Sequence, residues 1–469
     1  MTTSAEIIYH RRVRLLELAT ELGNVSEACR QMGVSRKSYY QWLEIAEQYG
    51  LDALMPKLLA EVAGSDLSGI ALGRVLPLLE AVMRRSAYYV LLLENAVALK
   101  QLVALCGASR WLAAELARHP ALLDELLDER NLFQVPDREG LRIDLERRLD
   151  GVSDLEVALE TLRVFKQSHE FRVAACQLKG ILPLMKISDY LTFLAEVILE
   201  QALTLAWRAT EETSGGPPVG NFLIVGYGKL GGLELGPDSD LDMVFVHDLD
   251  TQHAQFINRM VRRLLNVLTT RTHSGALYEV DMRLRPSGRS GTMVSSLAAF
   301  EQYQRREAWI WEHQALVRAR PVAGDSALAE RFNDLRRRLL CEERDVAALG
   351  AAVIDMRARI ERQAGEADLK RGAGGIVDIE FMVQYLVLAW AAKHPSLAVY
   401  TDNVRILETA ADVGLLTDDK AAALKQAYLA LRAERHRAAL DLPDDARAQK
   451  VLDAHRQSVR ACWDELLGD

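Results

Sequence analysis

Apolar positions recur every three or four residues along most of the chain, which is poor in Pro and rich in Ala, Leu, Arg and Glu. That spacing predicts long amphipathic helices, because residues 3.6 apart share one face. The stretch "GNVSEACRQMGVSRKSYYQWLEIAEQYG" predicts two helices joined by a turn at Gly33, with Ser35 capping the second and Arg36 and Lys37 carried on it. Long helices follow from about 58 to 215, ending at the loop "TSGGPPVG". The most apolar run, "YYVLLLENAVALKQLVALC", is broken by Glu94 and Lys100 and reads as a buried helix rather than a membrane span. After "RLRPSGRSG" the helical pattern resumes to the last residue.

Only residues 221–285 or so leave this period. "NFLIVG" and "LDMVFV" are short, wholly apolar runs of the type that forms strands covered on both faces. Ile257, Val261, Leu264, Leu265 and Leu268 then mark one helical face. "ALYEVDMRLRP" alternates, with Tyr278, Val280, Met282 and Leu284 on one side and Glu279, Asp281, Arg283 and Arg285 on the other. It predicts a third strand, brought beside the second by the intervening helix.

Two aspartates, Asp240 and Asp242, sit at the mouth of the second strand, where burying a charge costs several kcal/mol unless something offsets it. The preceding "GYGKLG" fits a dinucleotide-binding loop, and Asp248 falls where such a fold needs an acid. That loop must open a long crossover helix, whereas Gly231, Gly232, Gly236 and Pro237 break any helix here. Taken with the carboxylates, the glycines suit a different task. A glycine-rich loop lets backbone N–H groups approach phosphate oxygens, and Ser239 adds a hydroxyl. Asp240 and Asp242 fall on one face of an extended chain, roughly 6.5–7 Å apart at Cα. Such a pair can converge on divalent ions about 3.5–4 Å apart, the arrangement of two-metal displacement at phosphorus. Asp281 would complete the metal site, and Arg283 and Arg285 on the same face would neutralise a triphosphate. The plainer alternative, a solvated Asp-Ser-Asp turn, accounts for neither the glycine loop nor Asp281.

Composition narrows the setting. A chain of 469 residues with 49% hydrophobic and 26% charged content suits two to four globular domains. A net charge of −9 argues against a nucleic-acid coat protein. Five scattered cysteines form neither a disulfide framework nor a zinc pattern, which suits a reducing cytoplasm, and the charged beginning of the chain does not read as a signal peptide.

The stretches "GYGKLGGLELGPDSDLDMVFVHD", "YEVDMRLRPSGRSG" and "EAWIWEHQALVRAR" closely resemble the adenylylating half of the glutamine synthetase adenylyltransferase (glutamate–ammonia ligase adenylyltransferase) family. "LKRGAGGIVDIEFMVQYLVL" and "TDNVRILETAADVGLL" agree, and the resemblance runs from about residue 60 onward. It implies a mainly α protein with an α/β core, a polymerase-β-like nucleotidyltransferase sheet flanked by long helices and a C-terminal helical bundle. It also implies transfer of AMP from ATP to a tyrosine of glutamine synthetase. Asp240, Asp242 and Asp281 would hold Mg2+, and Gly231, Gly232 and Ser239 would cradle the phosphates. Glutamine and the PII signalling protein are implied as regulators. One glycine–D-x-D signature is present, so deadenylylation is not expected of this chain.

Residues 1–57 resemble transposase-type helix-turn-helix modules instead, with Arg36, Lys37 and Tyr40 on the reading helix. Their basic residues are matched by acidic ones, which weakens the phosphate attraction on which DNA affinity rests. The expected divisions are a 1–57 module, a 58–140 helical linker, a 141–318 nucleotidyltransferase domain and a 319–469 bundle. Among smaller features, Trp309 and Trp311 are expected in the core, and His313 has no partner at zinc spacing. Arg318 and Arg320 are candidates to face the nucleotide, and Asp378 is either a helix-start charge or a ligand. The acceptor is not legible in a metal site, so uridylylation of a signalling protein, adenylylation of a small molecule, or a DNA-binding regulator with an inert core remain alternatives.

Overall fold

Strands without polar alternate positions must be covered on both faces. In the computed structural model the two apolar runs become β1 (Phe222–Gly226) and β2 (Leu241–His247). The structure describes residues 14–468 apart from 17, 49–50, 66–67, 83–85, 218, 238, 273, 289–290, 363–364, 366–367 and 443–445. β1 and β2 pair antiparallel, from Phe222 opposite His247 to Gly226 opposite Met243. Among the described residues, the regular element between them is a four-residue helix, Gly228–Gly231. An antiparallel return through so short a link excludes the dinucleotide-binding alternative, which needs a parallel one.

The helix Ala254–Thr269 then carries the chain to β3 (Val280–Asp281) and on to β4 (Val294–Ser296), both parallel to β2. β3 takes the start of β2, with Leu241 opposite Val280 and Asp242 opposite Asp281. β4 takes its end, with Phe245 opposite Val294. β5 (Arg320–Gly324) pairs antiparallel with the far edge of β1. The order is therefore β3-β2-β1-β5, with β4 also on β2.

The third strand is shorter than its alternation predicts. After Asp281 the chain turns, with the Arg285 N–H reaching the Met282 carbonyl at 3.3 Å and the Gly288 N–H the Arg285 carbonyl at 2.8 Å. Pro286 has no N–H to offer a ladder, and Ser287 and Gly288 take φ of 59° and 54°. Arg283 and Arg285 thus belong to a turn rather than to a strand face.

The chain forms two compact units that do not follow sequence order. One comprises Met1–Val135, Gln167–Ile181 and Leu440–Pro443, and its regular elements among the described residues are helices. Val25–Gln31 and Arg36–Gln48 flank the turn at Gly33, and the Ser35 hydroxyl accepts from the Ser38 N–H at 3.0 Å, as its capping role predicts. Leu15, Ala28, Cys29 and Tyr39 make a small core there, while Arg36, Lys37 and Tyr40 are exposed. The run expected as one buried helix is two, Ser86–Glu94 and Ala96–Ala108, bent by 101°. Asn95 breaks it by capping the second helix, its side chain accepting from the Ala98 N–H. Leu440 is wholly buried in this unit's core, and its carbonyl accepts from the Ser109 hydroxyl at 2.6 Å.

The other unit comprises Pro136–Lys166, Leu182–Ala439 and Asp444–Asp469 and contains the sheet. Val225, Val244 and Val246 face a core with Phe300, Phe332 and Ile379. Phe222 and Phe245 stack at 5.9 Å on the other face, and Trp207 meets Phe222 edge-on at 6.2 Å and Phe256 at 5.2 Å. Trp207 lies on the helix Leu184–Ser214, which is long and apolar enough to cross a membrane. Its most apolar window is 72% buried inside the protein, the condition of a helix that covers a sheet. The five cysteines form no disulfide.

Phe245 joins the central strand to the aromatic face, so Phe245→Ala is expected to cost about 3–5 kcal/mol. Urea unfolding followed by tryptophan fluorescence measures that loss.

Candidate active site

Period-2 alternation puts Asp240 and Asp242 on one face as β2 begins, and the β2–β3 register sets Asp281 directly opposite Asp242. The three carboxylates gather so that one oxygen from each lies within 4.8 Å of the others. Asp240 is exposed and the other two half-buried. Burial, then the charges of Asp240 and Asp281, push the Asp242 carboxyl up to about 6. Asp281 is partly compensated, accepting from the Arg283 backbone N–H at 2.8 Å and its Nε at 2.7 Å. An all-oxygen donor set of three carboxylates is the kind that binds a hard divalent cation such as Mg2+.

The glycine turn approaches these carboxylates at Gly228. Its φ is +53°, and a Cβ there would stand 2.5 Å from Asp242 Oδ2. Gly228 is the second glycine of "GYGKLG", and no sequence argument separated it from its neighbours. Gly231 and Gly232 do not line the cavity: a side chain on Gly231 would collide with the Arg318 carbonyl, and one on Gly232 would meet the Arg318 guanidinium at 2.5 Å. The Ser239 hydroxyl lies in the cavity, accepting from the Gly236 N–H at 3.0 Å and meeting Lys229 Nζ at 3.4 Å.

Two hollows meet at the carboxylates. Asp240, Glu279, Asp281, Arg283 and Arg285 line the first. The second, of about 250 Å³, joins Asp240 and Asp242 to Lys229, Lys370 and the helix Asp418–Ala439. Burial, then Lys370 and Arg435, holds the Lys229 ammonium down at about 8. Arg435 and His436 carry no motif signal of their own, and Lys370 lies in the stretch "LKRGAGGIVDIEF" without a role read from it; the fold brings all three here.

Beneath the cavity a buried ionic cluster fixes the loop. Glu234, 2% exposed, pairs with Arg318 and accepts from the Tyr428 hydroxyl at 2.5 Å and the Asn403 amide at 3.3 Å. Burial opposes its ionisation, but Arg318 and Arg432 outweigh it and keep the carboxyl below its ordinary value. Arg320 Nε and the Thr401 hydroxyl donate to the Gly231 carbonyl at 3.2 and 2.8 Å. Arg318 reaches the cavity wall but is committed to Glu234 and Glu380, and Arg320 holds the loop and Glu196.

Trp309 and Trp311 are not core residues, being 70% and 37% exposed. They stand at the start of the helix Ile310–Val317, where Trp309 is the N-cap residue and its backbone N–H reaches Glu312 at 3.0 Å. His313 meets the Gln304 carbonyl at 2.9 Å. Asp378 is a helix-start charge: it is buried in the first turn of Ile376–Trp390, pairs with Arg357 and accepts from the Gly374 N–H at 2.6 Å.

A short mixed sheet that delivers three carboxylates to one point beneath a glycine turn, with cations across the cavity, is an arrangement suited to nucleotidyl transfer. The chain belongs to the glutamate–ammonia ligase adenylyltransferase family, whose profile matches residues 99–335. Residues 347–464 match the GlnD PII-uridylyltransferase profile and residues 11–57 a helix-turn-helix domain. The chain is 49% identical to a bifunctional glutamine synthetase adenylyltransferase/adenylyl-removing enzyme of Pseudomonas syringae pv. tomato, over 89% of this chain and 46% of that one. It is 48% identical to the protein of the same description from Pseudomonas aeruginosa, with the same coverage. With that of Hahella chejuensis it shares 43% identity over 95% of this chain and 49% of the other. The chain therefore spans about half the length of the curated relatives it matches.

Because the Asp242 carboxyl is raised in the folded protein, the stability it contributes is complete below its ordinary value and lost as pH rises through about 6. Asp242→Asn is therefore expected to melt about 2 °C or more above the parent at pH 7.5 in chelator, with the gain fading towards pH 4. Glu234 has the opposite sign. Its depressed value stabilises the fold above the ordinary carboxyl range and is lost as pH falls through the folded value. Glu234→Gln is expected to cost about 3–5 kcal/mol at neutral pH by urea unfolding, and less in acid.

Proposed function

We propose that the chain transfers AMP from ATP to a tyrosine hydroxyl of glutamine synthetase, with Mg2+ held by Asp240, Asp242 and Asp281. The observation that carries this reading is the convergence of three carboxylates, within 4.8 Å, in a chain of the glutamate–ammonia ligase adenylyltransferase family. The proposal concerns the attaching reaction, one of the two in the relatives' names.

In that transfer the phenolic oxygen forms a bond to the α-phosphorus and the phenolic proton is lost. The bond from that phosphorus to the α–β bridging oxygen breaks, and pyrophosphate leaves with the electron pair. When bound, magnesium would neutralise carboxylate and phosphate charge and favour the phenolate of a group whose ordinary pKa is about 10. Asp240, just before β2, and Asp242 within it would fix its position, and Asp281 would do so from β3 on the acceptor side. Ser239 and the backbone at Gly228 would meet the phosphates, with Arg283 and Arg285 stabilising charge that develops at the α-phosphoryl group. Glutamine and PII as regulators, and a cytoplasmic setting, belong to the same reading.

A second reading has its own support, since residues 347–464 match the PII-uridylyltransferase profile. There the donor would be UTP and the acceptor a PII-type protein.

The test is incubation with labelled ATP, Mg2+ and glutamine synthetase. Label on a tyrosine is expected, and Asp240→Asn and Asp242→Asn should each lower transfer by 100-fold or more, roughly 2.7 kcal/mol. Transfer within about tenfold of the parent in both variants would remove the metal-site assignment. Label arriving from UTP on PII, and none from ATP on glutamine synthetase, would select the second reading.

A further inference from the structure

The cavity gathers more positive charge than its carboxylates require, with Arg432 buried and Lys229, Lys370 and Arg435 half-buried in its wall. Arg432, Arg435, His436 and Ala439 recur at i, i+3, i+4 and i+7 of the helix Asp418–Ala439, so one helix face lines the wall. Lys229 of the glycine turn and Lys370 line the same cavity. Among the described residues, no carboxylate lies within ion-pair distance of Lys229, Lys370 or Arg435.

Two polar atoms on that helix face are left without partners. Arg432 and His436 are 5% and 6% exposed, yet Arg432 Nη1 and His436 Nδ1 make no hydrogen bond. Arg432 is otherwise well anchored, its Nη2 donating to the Ser188 hydroxyl at 2.7 Å and the Glu234 carbonyl at 2.9 Å. Its guanidinium is thus held rigidly with one nitrogen unused. His436 packs against Gly236, where a Cβ would collide with the imidazole, so the turn and the helix are fitted to each other at this point. Buried donors are normally satisfied, and gathered like charges repel in a low dielectric. A polyanion in the cavity removes both penalties at once.

We propose that this helix face, with Lys229 and Lys370, is the subsite for the triphosphate tail, taking the β- and γ-phosphates and hence the departing pyrophosphate. The assignment rests on the nucleotidyl-transfer reading above. It moves the main anchor of the tail away from Arg283, whose guanidinium is paired with Asp281. It also gives the two hollows separate tasks. Attacking and leaving oxygens stand roughly in line across the α-phosphorus. With the tail against the helix, the hollow lined by Asp281, Glu279 and Arg285 is left to the acceptor.

The test is equilibrium binding to the intact chain, by calorimetry with Mg2+ present, of ATP, AMP and inorganic pyrophosphate. The variants are Lys370→Ala, Arg435→Ala and the charge-keeping Arg435→Lys, with melting temperature as the check on folding. Lys370→Ala and Arg435→Ala are each expected to weaken ATP and pyrophosphate by tenfold or more and AMP by less than twofold. Arg435→Lys should retain most of the affinity. If the parent binds ATP and the two alanine variants bind it equally well, the subsite is overturned while nucleotidyl transfer stands. Loss of AMP binding in equal measure would also overturn it, as damage to the whole pocket. A parent that binds neither ATP nor pyrophosphate would overturn the transfer reading itself.

Discussion

A ladder of two residues decides where the third carboxylate stands. Leu241 pairs with Val280 and Asp242 with Asp281, so the acidic face of β2 and the acidic side chain of β3 coincide. Slip by one residue would turn Asp281 towards the apolar side and bring a hydrophobic neighbour to Asp242. Everything else in the sheet serves this alignment. β1 and β2 are covered by Phe222, Phe245 and Trp207 on one face and by Val225, Val244 and Val246 on the other, which leaves little latitude for sliding. Burial first, and then the neighbouring charges of Asp240 and Asp281, appear in the raised Asp242 carboxyl.

The second determinant is the cluster around Glu234. A buried carboxylate between Arg318 and Arg432 is rarely a large net source of stability, because desolvation offsets the attraction. Its effect is on position. Glu234 belongs to the segment after the glycine turn, Arg318 precedes β5, Asn403 begins one helix, and Tyr428 and Arg432 lie on another. Partners from three other parts of the chain must meet at one anion, so the turn carrying Gly228 and the helix carrying Arg435 are set relative to each other.

Much of the site was readable in residue order because its parts obey local rules. Asp240 and Asp242 follow from period-2 geometry, β1 and β2 from unbroken apolar runs, and Ser35 from capping chemistry. Asp281 followed from alternation, although the same alternation overstated the strand. The pattern "YEVDMRLRP" describes side-chain polarity, whereas Pro286 and the positive φ at Ser287 and Gly288 decide the backbone. Trp309 and Trp311 show the limit of a size-based rule, since large aromatics at a helix start have no neighbouring turn to cover them. Arg435 and His436 could not be found by motif, and Lys370, although it lies in "LKRGAGGIVDIEF", drew no role there. Arg435 and His436 look like solvated helix charge until a helix nearly two hundred residues downstream of the glycine loop is folded against it. Gly231 and Gly232 gave the reverse lesson: glycines beside a phosphate loop can be demanded by an arginine passing behind them.

The threading of the chain through its two units has a consequence for how the protein is made. Most of the first unit precedes residue 136, yet its core takes in Leu440, whose carbonyl accepts from the Ser109 hydroxyl. Residues 167–181 belong to it as well, while 136–166 and 182–439 do not. During synthesis this unit's core stays one position short until residue 440 has left the ribosome, long after residue 181. A single protease cut between residues 182 and 439 therefore divides both units.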